Sequence, residues 1–277
     1  MTYREADGQY ANLVQQSAAL WKTIETTRFP ETYRAMFAFC AKTNCLKSAL
    51  FDLIDANNPY VFKLVFRCLC EHYLKFTYLW VRFAQEKSDA AATEYFAYCG
   101  ASETRDYVNA VVAAQAILGN AVAVDVASAL TDVFPEAAGM STRELDIVSQ
   151  QFSYRSILKF MASDFPGIPP ADRRFLASVV PEYAILSSFV HGGPHTDLDT
   201  NVGPRALQEC RERASLAFQM TVRALMFTAR AVSREFPDQS GIAEKAEAIL
   251  NRFLATARET TRRSLLGERI DDLDHQG

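Results

Sequence analysis

The apolar window Pro59 to Ala84 lacks the roughly 18 consecutive uncharged residues that a bilayer-spanning helix needs. It is interrupted by Lys63, Arg67, Glu71, His72, Lys75 and Arg82, so it reads as the buried helix of a soluble protein. The opening MTYREADGQYANLV has no basic segment followed by an apolar one, and a secretory signal is not expected there. A cytoplasmic location follows as the expectation, with no membrane partner. None of the six cysteines forms a C-x-x-C pair. Cys68 and Cys70 would sit about 200° apart on a helix, a poor geometry for one metal ion. Reduced thiols acting as small core residues are expected.

Charge of one sign is missing too. Lys and Arg number 29 against 33 Asp and Glu, a net of -4, which disfavours a basic protein that coats nucleic acid. No Asn-Gly or Asp-Gly pair sits between alternating runs, so nothing marks a β-hairpin. There is no internal repeat and no low-complexity tract.

What the sequence does have is apolar content, 49%, and frequent helix punctuation. The expected fold is all-α, a bundle of long antiparallel helices with short connections. The first helix is expected over about Arg4 to Arg28. Pro30 opens a second to about Asp55. Asn58 caps a third at Pro59, which reaches about Lys87, is apolar over most of its circumference and should be central. A short segment at Tyr95 to Gly100 precedes a long Ala/Val-rich helix, capped by Ser102, over about Glu103 to Phe134. Ser141 and Glu144 form a capping box, opening a helix to about Ser163. Helices over Asp172 to Val190 and from Gly203-Pro204 to about Phe236 follow. An additional C-terminal amphipathic helix carries Ile242, Ala246, Ile249, Phe253 and Ala257 on one stripe, suited to docking on the body or pairing with another subunit. The domain reading is residues 1–236 as the bundle and 237–277 as a helical extension and tail.

Three polar groups stand out. Arg67 and Glu71 are four apart on the central helix and can pair. The plain reading is a structural ion pair; the functional one has Arg67 facing an anionic group in a cleft, oriented by Glu71. His72 lies about 100° from Glu71 around the helix. Tyr183, Ser187 and His191 are spaced by four and line one helical face. There the helix dipole favours a protonated His191 as a cap, a phosphate contact or a general base. A serine hydrolase is rejected, since no orienting acid and no nucleophile elbow accompany Ser187 and His191. His191, His195, Asp197 and Asp199 could in principle hold a metal, but Gly192-Gly193-Pro194 breaks the spacing, and no metal or cofactor is expected.

The segments VFRCLCEHYLKFTYLW (Val65 to Trp80), QFSYRSILKF and YAILSSFVHGG (Tyr183 to Gly193) together resemble an uncharacterised family of bacterial all-helical proteins. That family has an early Arg-x-x-x-Glu helix and a late Leu-Ser-x-x-x-His helix end, and it is similar in turn to the HEPN superfamily. The resemblance runs loosely over residues 30 to 235. It implies a bacterial defence or stress setting, phage defence included, and a metal-independent endoribonuclease. The chemistry would use an Arg-x(4–6)-His motif, commonly across a dimer interface. Arg67-Cys-Leu-Cys-Glu-His72 fits that spacing, so Arg67 with His72, or Arg67 with His191, are the implied catalytic residues, and Glu71, Tyr183 and Ser187 line the cleft. Arginine would stabilise the phosphorane-like charge and histidine would move protons. RNA, a second copy and a protein partner are the implied partners. The rival expectation is a non-catalytic helical interaction or sensor module using the same cleft.

Overall fold

The computed structural model describes residues 2–120, 130, 133–137, 139–163, 169–190, 203–239 and 241–265, without the side chains of residues 188, 258 and 260–265. The fold is all-α; no strand occurs among the described residues. No helix among them is long and apolar enough to cross a membrane.

The helices are α1 (Tyr3–Gln16), α2 (Ala18–Trp21), α3 (Pro30–Asp55), α4 (Pro59–Glu86), α5 (Ala90–Glu94), α6 (Gly100–Ile117), α7 (Thr142–Ser149), α8 (Tyr154–Ala162), α9 (Pro170–Val190), α10 (Pro204–Glu235) and α11 (Gly241–Leu265). Short 3-10 turns and one π turn, Tyr95–Cys99, join or extend them. Local chemistry explains the starts. Prolines occupy the first position of α3, α4, α9 and α10, where a missing N–H costs nothing. Asn58 Oδ1 accepts the Val61 N–H at 3.2 Å, capping α4, and Asn57 enters the left-handed region (φ 52°) to close α3. Ser141 and Glu144 form the expected reciprocal box on α7.

Four expected boundaries move. The first helix does not run unbroken to Arg28. It stops at Gln16, where the Ser17 hydroxyl donates to the Val14 carbonyl at 2.7 Å, and continues as α2 and a 3-10 turn over Lys22–Glu25. Tyr95 to Gly100 is no gap: α5, the π turn and α6 are consecutive, and Ser102 lies inside α6 and accepts from Arg105 at 3.3 Å. The Ala/Val helix ends at Ile117, because Gly119 turns the chain at φ 77°; much of the expected stretch beyond it lies outside the described residues. The helix from Thr142 is interrupted because Ser153 leaves helical geometry (ψ 151°) and caps α8 through Ser156 N–H.

The chain divides into two compact units, one of residues 1–28, 36–73 and 175–277, the other of residues 29–35 and 74–174. In the first, contacts run in antiparallel register. Tyr3 meets Phe51 and Asp7 meets Lys47 between α1 and α3. Between α3 and α10, Cys40 Sγ lies 3.3 Å from Thr228 Oγ1, and Thr221 Oγ1 donates to the Thr43 carbonyl at 3.4 Å. The α10 face there is Ala214, Ala217, Thr221, Ala224, Thr228 and Ala231, all buried, small enough for two backbones to approach closely. The α11 stripe of Ile242, Ala246, Ile249 and Phe253 is buried while Ala257 is exposed, and Phe253 meets Phe218 of α10 at 4.9 Å. So the amphipathic helix docks on the body of its own unit.

In the second unit, the Asp89 carboxylate accepts the N–H groups of Glu31 and Thr32 at 3.2 and 2.9 Å, capping the start of α3. Arg82 bonds Glu86 and Glu94 at 2.6 and 2.7 Å. Tyr78, Tyr95, Phe152 and Phe160 form an aromatic cluster with centroids 4.8–5.7 Å apart. Ala101, Leu130, Ala137 and Leu145 make a smaller apolar core.

Candidate functional site

Polar side chains are few on the inward face of α4, and each is held. Arg67 and Glu71, one turn apart, form the expected ion pair through Nη1 and Oε2. Nη2 donates to the Tyr183 hydroxyl of α9 at 2.7 Å, and the guanidinium carbon lies 4.5 Å from the centroid of the same ring. The arginine is therefore stacked on the tyrosine it bonds, an arrangement suited to a planar cation. Its side chain is 13% exposed and that of Glu71 30%. Burial, ahead of the opposing pull of Arg67, raises the Tyr183 phenol above its ordinary value, so it stays protonated at neutral pH. Arg67 Nε is buried and has no hydrogen-bond partner among the described residues.

This bracket is one rung of a longer seam within the first unit. Tyr60 and Lys63 of α4 meet Phe189 of α9 at 5.9 and 4.9 Å, and Tyr73 meets Phe175 at 5.8 Å. As numbering rises along α4 it falls along α9, so the two helices are antiparallel. On the α10 side, Arg213 donates to Glu182 at 2.8 Å and the Arg223 guanidinium carbon sits 4.4 Å from the Phe175 centroid. Helix α9 thus lies between α4 and α10, with aromatic rings over Lys63, Arg67 and Arg223. The Cys70 thiol between them feels Glu182, Arg213 and Arg67, but burial dominates and pushes it far above the usual thiol value. A thiol so protonated is no nucleophile.

Of the expected site residues, the structure brings together Arg67, Glu71 and Tyr183. Ser187 lies one turn further along α9, half-buried. His72 makes other contacts. Five residues beyond Arg67, it lies about 140° around the helix; its Nδ1 is 2.8 Å from the Cys68 carbonyl oxygen and its ring meets Phe39 at 6.1 Å. His191, with His195, Asp197 and Asp199, lies outside the described residues. Three partners in this seam were not anticipated: Glu182 with Arg213, Lys63 with Phe189 and Arg223 with Phe175. Only the first had a visible signal, since Glu182 adjoins Tyr183 in the sequence.

Arg67 and Arg213 pair with Glu71, Glu182 and Glu209, while Lys63 and Arg223 lie against aromatic rings. Comparison of the chain with family models, with curated proteins and with solved structures gives no match in any of the three.

Proposed function

We propose that this chain is a non-catalytic helical interaction or sensor module, built on a distantly HEPN-like bundle, rather than a ribonuclease. The observation that carries this reading is the set of contacts that Arg67 and His72 each make. A ribonuclease of the Arg-x(4–6)-His kind needs both side chains within reach of one phosphodiester. Arg67 instead binds Glu71 and Tyr183, while the histidine ring engages its own helix backbone and Phe39. Helix α9 is cross-linked to two neighbours by cation–aromatic and ionic contacts, which suits a surface held in a fixed shape for a partner.

One observation favours the catalytic alternative. The unpartnered Nε–H of Arg67 leaves a donor for an anion, and His191 would then supply the proton transfer. Incubation of the full chain with varied RNAs in EDTA separates the readings. Intact RNA with wild type, Arg67→Ala, His72→Ala and His191→Ala alike is the expected result. Metal-independent cleavage lost in Arg67→Ala and His191→Ala, with their helical circular dichroism unchanged, overturns it.

A further inference from the structure

A proline, Pro181, sits inside α9. It has no N–H, so the Ala177 carbonyl receives no helical hydrogen bond from it, and its ring crowds that same carbonyl. Both residues are exposed, so water can serve the carbonyl while the helix runs on. The weak step separates two differently anchored pieces. Before it, Phe175 packs against Arg223 and Tyr73, and Val179 is buried. Directly after it, Glu182 and Tyr183 grip two different neighbours. Glu182 accepts from Arg213 of α10 at 2.8 Å, and the Tyr183 hydroxyl accepts from Arg67 of α4 at 2.7 Å.

That grip is incomplete on the arginine side. Among the described residues, Arg67 Nε and Arg213 Nη1 are buried and make no hydrogen bond. The Glu209 carboxylate lies 3.6 Å from the second, beyond hydrogen-bonding range. Buried donors left unbonded count against the closed arrangement, and withdrawal of the α9 end returns both to water. Apolar packing opposes that withdrawal only in part. Past Pro181, Leu186 and Phe189 are buried, while Ala184, Ile185 and Val190 are exposed. In α10, by contrast, every residue from Met220 to Ala229 is buried. Such unevenness lets one segment open while its neighbours stay folded.

We propose that α9 is hinged at Pro181: residues 182–190 leave α4 and α10 as one piece, while residues 175–180 stay in place. Glu182 and Tyr183 are the catches, and their release bares the guanidinium groups of Arg213 and Arg67. Such a hinge gives a sensor module its moving part, and it operates in a ribonuclease or a scaffold alike.

Hydrogen exchange read by mass spectrometry on the full chain tests it. In the wild type, amides of residues 184–190 are expected to exchange about tenfold or more faster than those of 220–229. Tyr183→Phe should speed residues 184–190 about fivefold, the worth of one hydrogen bond, and Glu182→Gln should speed them too. Neither should change residues 176–180 or 220–229. Pro181→Ala restores the missing helical bond and joins the pieces, so Tyr183→Phe in that background should speed residues 176–180 as well. Equal acceleration of 176–180 and 184–190 with Pro181 still present overturns the hinge, since α9 then opens as a whole. Exchange of 184–190 no faster than that of 220–229, or indifferent to both catch variants, overturns it as well.

Discussion

Lys47 carries its ammonium into the core and meets the Asp7 carboxylate there, with the rings of Tyr10 and Phe51 centred 4.9 and 5.6 Å away. The lysine is 2% exposed and the aspartate 26%, and that asymmetry sets what substitution does. Asp7→Asn leaves an ammonium buried without its counter-charge, a loss of about 3–5 kcal/mol. Lys47→Met leaves a carboxylate that water can still reach and fills the space with apolar atoms, so it should cost far less or stabilise. Urea unfolding of both variants checks the order; equal losses would contradict it.

The same lysine gives a pH dependence of definite sign. Burial lowers its proton affinity below the ordinary lysine range, and Asp7 restores part of it. Between the lowered folded value and an unfolded one of about 10.4, the unfolded chain binds more protons, so the site's contribution to stability increases with pH. Comparing wild type with Lys47→Met from neutrality to about pH 10, the stability difference should shift toward the wild type. A shift toward Lys47→Met contradicts this account.

Tyr183 holds Arg67 in two ways that substitution can separate. Tyr183→Phe keeps the ring under the guanidinium and removes the hydroxyl acceptor, a loss of about 1 kcal/mol. Tyr183→Ala removes the ring as well, adding the cation–π term of about 0.5–2 kcal/mol and a cavity. In an Arg67→Met background the Phe substitution should become nearly neutral; a penalty that persists there assigns the hydroxyl to another partner.

Gly100 opens α6 with no room for a side chain. A Cβ there would lie 2.6 Å from Phe134 Cε1 and 2.8 Å from Cζ. Gly100→Ala gains roughly 0.5–1 kcal/mol of helix propensity and loses roughly 1–3 kcal/mol to overpacking, a net destabilisation of about 1 kcal/mol. With Phe134→Leu present, the alanine should instead stabilise relative to glycine. Thermal melts of the four chains of this cycle give the coupling directly.

Local punctuation was the legible part of this fold. The starts of α3, α4, α7 and α10 follow from Pro30, Pro59, Ser141 and Pro204 because a cap acts within one turn of itself. Breaks at serine are harder to read: Ser17 closes α1 and Ser153 opens α8 by bonding backbone nearby, while Ser102, expected as a cap, lies inside α6. At the site, Arg67 and Glu71 were legible because helical spacing alone joins them. Helical spacing places Tyr183 on a helical face but cannot put it opposite Arg67, 116 residues away; only the resemblance implied one cleft for both. Asp7 and Lys47 were missed for a related reason. Asp7 sits on a polar-looking first helix, and only the packing of α1 on α3 shows that its neighbour is buried.

The first helix and the last one touch. Arg252 donates to Gln9 at 2.8 Å and Lys245 to Gln16 at 2.7 Å, in the unit that also takes in residues 36–73 and 175–239. Synthesis runs from the amino end, so Tyr3–Gln16 leaves the ribosome while its binding surface is still unwritten. The apolar side of that helix, Ala6, Tyr10 and Leu13, stays uncovered on the α11 side until Gly241–Leu265 has been made. For that interval the nascent chain carries this apolar side without the cover that α11 later gives it.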